Sequence, residues 1–572
     1  VEDGLVVVFR YLPVFLQQKS LRYQKNKTST EFAKYDNEGK YSQYYSGYSM
    51  VQFPVEKNQF TSDHTMSLWF EKEGVDVHEL RRKYQLTPPS VEAVYKDFYK
   101  YLMDYSKKFN YDLFEKATVW QYWSFCDAFG GKTRMKSLSV DEVLPFIDRQ
   151  KSATTFLNKH YKNKGQCIDS EDFQQSFCIF LYLYVMDEEV WVPCSAVRKE
   201  EIRLTEKILE LSHRSFILMS LYYIILGHML HLDFDLTHAK HWEKTRTGMG
   251  MSLFFGQYET KMKPYFNPQF KFFDFRDVSK WDSRNQEWYT EKLNAMYNLF
   301  YPERFIQLSV MLGTWWKHCD ILNIPDIKVD TYKLRAALSI DEARGPVVMP
   351  RGEVMMKDRG TNSGSNRTTP KNVDVHENFN MQGGIQVFGS YSRKSYDKFR
   401  KRYQWDHLGD DVINAGPDGK PSDATVQIMK ESGWEIDRQI VSSPWELEYM
   451  SCKPLQVEQK HFGTRIVPMV NSSKVIASLI DKMKARETKE EKLMRLTSAL
   501  LLCAWTEDAE CILHVRERLL TLYPDLRHHR LNKSLEELRS MYFGELEGVS
   551  NDPLFMCFLE DHVETFRCLK YA

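Results

Sequence analysis

Residues 404–415 read QWDHLGDDVINA, and the triplet at their centre, Gly409-Asp410-Asp411, decides how the rest of the chain is read. Apolar and aromatic residues flank the triplet on both sides, the pattern of two short strands joined by a tight turn. Glycine permits the turn, and two acids then project from its tip. Taken alone, a Gly-Asp turn is only a turn. Upstream lies a second carboxylate pair, Asp277 and Asp282, in FKFFDFRDVSKWDSRN (270–285). There an aromatic strand runs into the first acid, and the second falls where a helix would begin. By itself this pair reads first as a solvated turn and helix N-cap.

Composition narrows the classes. The 572 residues suffice for two to four structural units. Lysine plus arginine number 78 and aspartate plus glutamate 78, so a generally basic nucleic-acid binder is disfavoured. A basic channel balanced by acids elsewhere stays compatible with that total. The ten cysteines form no CxxC pair, which points to a reducing compartment without structural zinc. The opening VEDGLVVVFRYLPVF lacks a basic leader and a small-residue cleavage site, so no signal peptide is expected. The longest apolar run, Phe216 to Leu232, is marginal in length for a membrane span and carries His228 and His231. A buried helix is the expectation there.

Residues 1 to about 90 are aromatic and mixed in pattern. SVEAVYKDFYKYLMDY then opens a helical stretch on the N-cap Ser90. KDRGTNSGSNRTTPKN (357–372) would pass for a flexible linker on composition. SDATVQIMKESG reads as a short helix closed by Gly433. Beyond about 470 the pattern is helical, with a stripe of Val475, Ile476, Leu479, Ile480 and Met483, and Thr488 with Glu491 as a capping box. Strands alternating with helices centrally, then helices alone, predict an α+β core with a helical appendage.

Phosphoryl transfer from a nucleoside triphosphate uses two divalent cations, and so needs carboxylates from separated segments that converge. Asp277 with Asp282, and Asp410 with Asp411, supply them. DVSKWD and GDD resemble motifs A and C of viral RNA-dependent RNA polymerases. SGSNRTTPKN (363–372) matches their motif B pattern through Ser363, Gly364, Thr368 and Asn372. KEEIRLTEKILELSHRSF (199–216) resembles motif F, with Lys199, Arg203, Lys207 and Arg214 at the basic positions. TRTGMGMS (245–252) resembles a short stretch common in picornavirus-like polymerases, and EYMSCKPLQ resembles motif E, with Cys452 and Lys453 at the primer grip. The matched motifs span roughly residues 199 to 455. Where family motif D offers a lysine as general acid, this chain has Arg438. The chain's size is similar to that of polymerases from small dsRNA viruses of the picobirnavirus and partitivirus type.

The resemblance implies a role for each position. Asp277, Asp410 and Asp411 would be catalytic metal ligands for two Mg²⁺ or Mn²⁺ ions, which take hard oxygen donors. Asp282 and Asn372 would read the ribose 2′-hydroxyl. Lys199, Arg203, Lys207 and Arg214 would neutralise the triphosphate, arginine adding bidentate geometry. Ser363 and Gly364 would lie in a loop contacting template or nucleotide, with Thr368 beside them.

The implied fold is α+β, a closed right hand. Its parts would be an N-terminal extension bridging fingers and thumb (1–90), fingers (91–268 with 300–356), palm (269–299 and 357–459), a helical thumb (460–545) and a C-terminal tail (546–572). The palm would be a small antiparallel sheet with helices. The apolar tail, from Asn551 onward, would lie in the RNA exit groove or pack outside the thumb. The implied partners are RNA template, nascent RNA, NTPs and a viral capsid protein, with no membrane span, in a virion interior or host cytoplasm. Two rivals remain: a reverse transcriptase, and a non-catalytic RNA-binding, capsid-associated protein with a polymerase-like palm.

Overall fold

The computed structural model describes residues 45–48, 61–102, 110–131, 133–154, 157–186, 192, 194–285, 287–350, 352–357, 359–362, 364–365, 367–459, 463–482 and 487–543. The expectations for the C-terminal tail, for Ser363, for Met483 and for most of the first 60 residues lie outside these.

The protein is a mixed α+β structure with small antiparallel sheets. Its centre is a four-stranded sheet built from β1 (Phe272–Val278), β2 (Gln404–Leu408), β3 (Asp411–Gly416) and β4 (Ile436–Val441). The spatial order is β2-β3-β1-β4, with every pair antiparallel. QWDHLGDDVINA is thus the expected hairpin, with Gly409 at φ 66° in its turn. No side-chain or backbone atom would crowd a Cβ at Gly409, so its conformation, not space, calls for glycine there.

Alternation along β1 sorts its residues between two layers. Asp274, Arg276 and Val278 face one way, and Phe273, Phe275 and Asp277 the other. Behind the first face lie α1 (Thr368–Phe388) and α2 (Lys420–Glu431), and Ser422 of α2 donates to Asp274 at 2.6 Å. On the other face Phe273, Ile413 and Ala415 join a core with Tyr258, Met262 and Tyr265. That core stops short of Asp277, which stays exposed.

The stretch resembling a linker is nothing of the kind. Glu353–Lys357 is a strand, and α1 starts at Thr368. Lys357, Thr361, Asn362, Ser365 and Arg367 are all buried. Their polar atoms are satisfied internally: Lys357 Nζ donates to Glu342 O at 2.6 Å and to Gly360 O at 3.2 Å. Composition registered the polarity but not the partners. The apolar run 216–232 is likewise divided, into a strand (Ser215–Leu218) and the first part of a buried helix (Leu221–Lys240). No helix among the described residues is long and apolar enough to cross a membrane.

The Ser215–Leu218 strand belongs to a five-stranded sheet with Cys194–Arg198, Gly345–Val348, Glu353–Lys357 and Tyr45–Tyr48. At the C-terminal end, helices Ser472–Ile480, Lys489–Leu502 and Ala509–Leu522 share one core with Met66, Phe70, Val77 and Leu80. The capping box of Thr488 and Glu491 is present, as is the Ser90 N-cap of Val91–Phe98. The segment 61–86 ties distant parts together. Its Thr61–Ser62 strand pairs with Asp481–Lys482, and Tyr84–Leu86 pairs with Ile202–Leu204.

Candidate active site

Sheet register brings the acids together. Val412 faces Arg276 across β3 and β1, so continuing one residue sets Asp411 beside Asp277 at the open edge. Asp410 occupies the turn itself. Asp282 follows on a short helix, Trp281–Arg284, entered through Lys280 in the left-handed region at φ 55°. This helix is anchored from below, because the Trp281 ring packs 3.8 Å from His376 of α1 and 4.3 Å from Trp434, centroid to centroid. The hairpin is anchored by the same residue: His376 Nδ1 lies 3.0 Å from Gly409 O.

Electrostatics marks this edge as a place where carboxylates repel one another. Burial, and then the neighbouring Asp277, push Asp410 up to about 6, with Asp282 adding and Arg214 opposing. Desolvation also raises Asp277 above the usual carboxylate range, against Arg214 and the Val278 amide, and Asp437 raises it further. These are hard oxygen donors that repel one another, which fits a divalent cation. Among the described residues, no three His, Cys, Asp or Glu side chains alone converge closely enough to hold an ion.

Opposite stands a cationic group gathered by one buried acid, Glu201. Lys199 Nζ lies 3.2 Å from it, Arg203 Nη1 3.0 Å and Arg214 Nε 3.9 Å. Arg214 is 47% exposed and lies within the field of both groups. Burial works against its charge, but Glu201, Asp410, Asp277 and Asp282 together hold it above the usual arginine range. Burial lowers Lys199, with Glu201 and Asp282 acting the other way. Lys207 is not drawn in; it stands exposed on the short helix Thr205–Leu209.

The remaining candidates divide. Asn372 is buried in the first turns of α1, and its Oδ1 has no hydrogen-bond partner among the described residues. Thr368 Oγ1 donates to Asn362 O at 2.6 Å and Ser365 O at 3.0 Å, closing the turn that starts α1. Gly364 docks on the neighbouring sheet, its amide donating to Ile217 O at 3.0 Å. A Cβ at Gly364 would lie 2.6 Å from that same oxygen, so a side chain is excluded by space. The loop also clasps the Asp282 helix, through Thr361 N to Asp282 O at 2.7 Å and Gly360 N to Asn285 O at 2.8 Å.

Arg438 is not brought to the acids. It lies one residue past Asp437, the cross-strand partner of Asp277, so its side chain takes the opposite face. There it donates to Asp274, to Asp423 at 2.7 Å and to Ser422 at 3.1 Å. A guanidinium tied to two carboxylates on the far side of the sheet is a poor proton donor to anything beside Asp277. Cys452 is buried at the start of the Cys452–Gln459/Gly463–Val470 hairpin, with its thiol on Met450 O at 3.3 Å, while Lys453 points to solvent.

Three residues escaped the motifs. Glu201, inside KEEIR, is the acid that collects the cations. Lys474, on helix Ser472–Ile480, is lowered to about 8 by burial, and it feels Glu201, Arg214 and Arg203. Asp437 sits directly across from Asp277. Only the last had a signal, since a strand reading of GWEIDRQIV would put Asp437 and Arg438 on opposite faces. The chain matches no protein-family model and no curated protein.

Proposed function

We propose that this protein is an RNA-dependent RNA polymerase, extending an RNA 3′-hydroxyl with NTPs on an RNA template during viral genome replication and transcription. The observation that carries the reading is the electrostatic grouping of Asp277, Asp282 and Asp410 at one sheet edge, all acting on Arg214, with the Glu201-held cations opposite. The motif order supports the same reading. So does an α+β core in which the four-stranded sheet would be the palm of a right hand and the C-terminal helices its thumb. The 61–86 segment would be the bridge between fingers and thumb.

Asp277 and Asp410 are the residues that would hold Mg²⁺ or Mn²⁺, with Asp411 beside them. Bound there, the ions would supply Lewis-acid stabilisation of charge on the hydroxyl and phosphate oxygens. Arg214, with Lys199 and Arg203, would hold the triphosphate by charge and geometry. Little covalent chemistry is asked of the protein, so rate comes from positioning and preorganised electrostatics. Asp282 and the unpaired Asn372 oxygen favour ribose over deoxyribose, because a site built to bond a hydroxyl penalises its absence. That favours this reading over a reverse transcriptase. Arg438 is left out of the proton inventory.

Purified protein, a defined RNA template and four NTPs, with Mg²⁺ or Mn²⁺, test the proposal. Template-length product is expected, abolished in Asp410→Asn. Failure to incorporate on primed and unprimed templates with either metal would refute it. Products from dNTPs alone would favour the reverse transcriptase.

A further inference from the structure

A cavity of about 310 Å³ opens between the end of helix Tyr111–Ala128, the 243–246 loop, helix Gln257–Met262 and the 400–404 segment. Two arginines line it, and neither has an ion-pair partner among the described residues. Arg246 donates to Gln404 Oε1 and, at 3.5 Å, to Arg400 O. Its guanidinium lies 4.9 Å from the Trp405 ring, and its Nε is buried without an acceptor. Among the described residues, Arg400 donates to two neutral hydroxyls, Ser124 at 3.2 Å and Tyr396 at 2.9 Å.

The nearby acids are committed elsewhere. Asp406 takes Lys261 at 2.8 Å, Tyr265 at 2.9 Å and Gln404 at 3.1 Å. Glu377 takes Trp405 at 2.7 Å, and Arg393 holds Asp127 at 2.8 Å. At the mouth, Glu243 and Lys244 are both exposed and offset each other. Burial lowers Arg246 and the like charge of Arg400 lowers it further, while Asp406, Tyr265 and Glu377, none within ion-pair distance, act the other way. A desolvated charge such as that of Arg246 is ordinarily paired, and with the half-buried Arg400 beside it the cavity presents two guanidinium forks suited to an oxyanion.

We propose that this cavity is a second anion site, which binds the phosphate group of a small molecule, either free phosphate or a mononucleotide. The site is coupled to the acidic turn by the backbone. His407 N donates to Arg246 O at 3.2 Å and Gly248 N to His407 O at 3.0 Å, so the Arg246 loop joins β2 through one isolated parallel bridge at Thr247–His407. The far end of β2 runs into Gly409-Asp410.

Calorimetric titration of the full chain with inorganic phosphate, and separately with AMP, in metal-free buffer tests this without invoking catalysis. Its failure leaves the polymerase reading untouched. Saturable binding is expected, weakened about tenfold or more in Arg400→Gln and measurably in Lys244→Glu, and unchanged in Arg214→Gln. AMP binding more tightly than phosphate identifies a mononucleotide as the source; equal affinity identifies free phosphate. Should Arg400→Gln not fold, the exposed Lys244→Glu decides by the same criterion. Absence of saturable binding overturns the proposal. So does a loss confined to Arg214→Gln, or displacement of phosphate by a short RNA but not by AMP.

Discussion

Two ionisable clusters lie on opposite faces of the same strand. At the open edge, Asp277 lies across from Asp437 and in the field of Asp410, with Arg214 opposite. On the covered face, Asp274 accepts from Arg438 and Ser422, with Arg276 at 3.7 Å, and Arg276 donates to Asn380 at 3.3 Å. Beneath the turn, α1 is buried continuously from Pro370 to Ile385 and carries Asp374, His376 and Glu377 inside. Burial holds His376 down at about 3 and raises Glu377 to about 7. Perturbed titration therefore marks both regions and separates neither. The difference is the mix of charge: the interior sets Asp274 against Arg276 and Arg438, whereas at the edge Asp277 and Asp410 repel each other beside Arg214. Strain that substrate could relieve belongs to the second kind.

The largest effect expected from breaking this contrast is on the open face. Asp410→Asn should cut nucleotide incorporation at least about a thousandfold, roughly 4 kcal/mol of transition-state stabilisation. Its melting temperature should equal or exceed that of wild type, because a repulsive charge has gone. Activity within about tenfold of wild type would remove Asp410 from the site.

The mirror experiment is on the covered face. Asp274→Ala leaves Arg276 and Arg438 without their shared carboxylate and should cost about 3 kcal/mol in denaturant unfolding. If Asp274→Ala and Asp277→Ala shift the unfolding midpoint equally, the distinction between the ion-paired interior and the repulsive edge is wrong.

A smaller effect concerns the sugar. Asn372→Ala or Asp282→Ala should lower the rNTP/dNTP ratio of kcat/KM about tenfold, near 1.4 kcal/mol. An unchanged ratio in both variants would end the ribose-reading assignment.

The smallest is Asp437→Asn. Like charges directly opposed on antiparallel strands destabilise, so neutralising Asp437 should add up to about 1 kcal/mol to stability. A loss of stability would mean that Asp437 has a partner of its own.

Several features were legible in the chain because their causes are local. The hairpin around Gly409 needed only a glycine turn between apolar strands. The caps at Ser90 and Thr488 needed only a side chain three residues from an amide. The pairing of Asp277 with Asp410 was legible through motif order, since convergence of distant carboxylates has no local signature. Other features were hidden. The 357–372 stretch looked like a linker because its lysine, asparagine, serine and arginine find acceptors far away in sequence. Arg438 looked available because proximity along the chain ignores which face of a strand a residue takes.

The sequence by itself determined the hairpin around Gly409, the caps at Ser90 and Thr488 and the helices after about residue 470, since periodicity, capping and turn chemistry act over a few residues. Only the tertiary structure decided which charges are satisfied. Lys199, Arg203 and Arg214 meet on Glu201, Asp277 stands opposite Asp437, and Arg246 and Arg400 share a cavity, because sheet register and helix packing set those distances. Electrostatic energy depends on separation and burial in space, and neither is written in the spacing of residues along a chain.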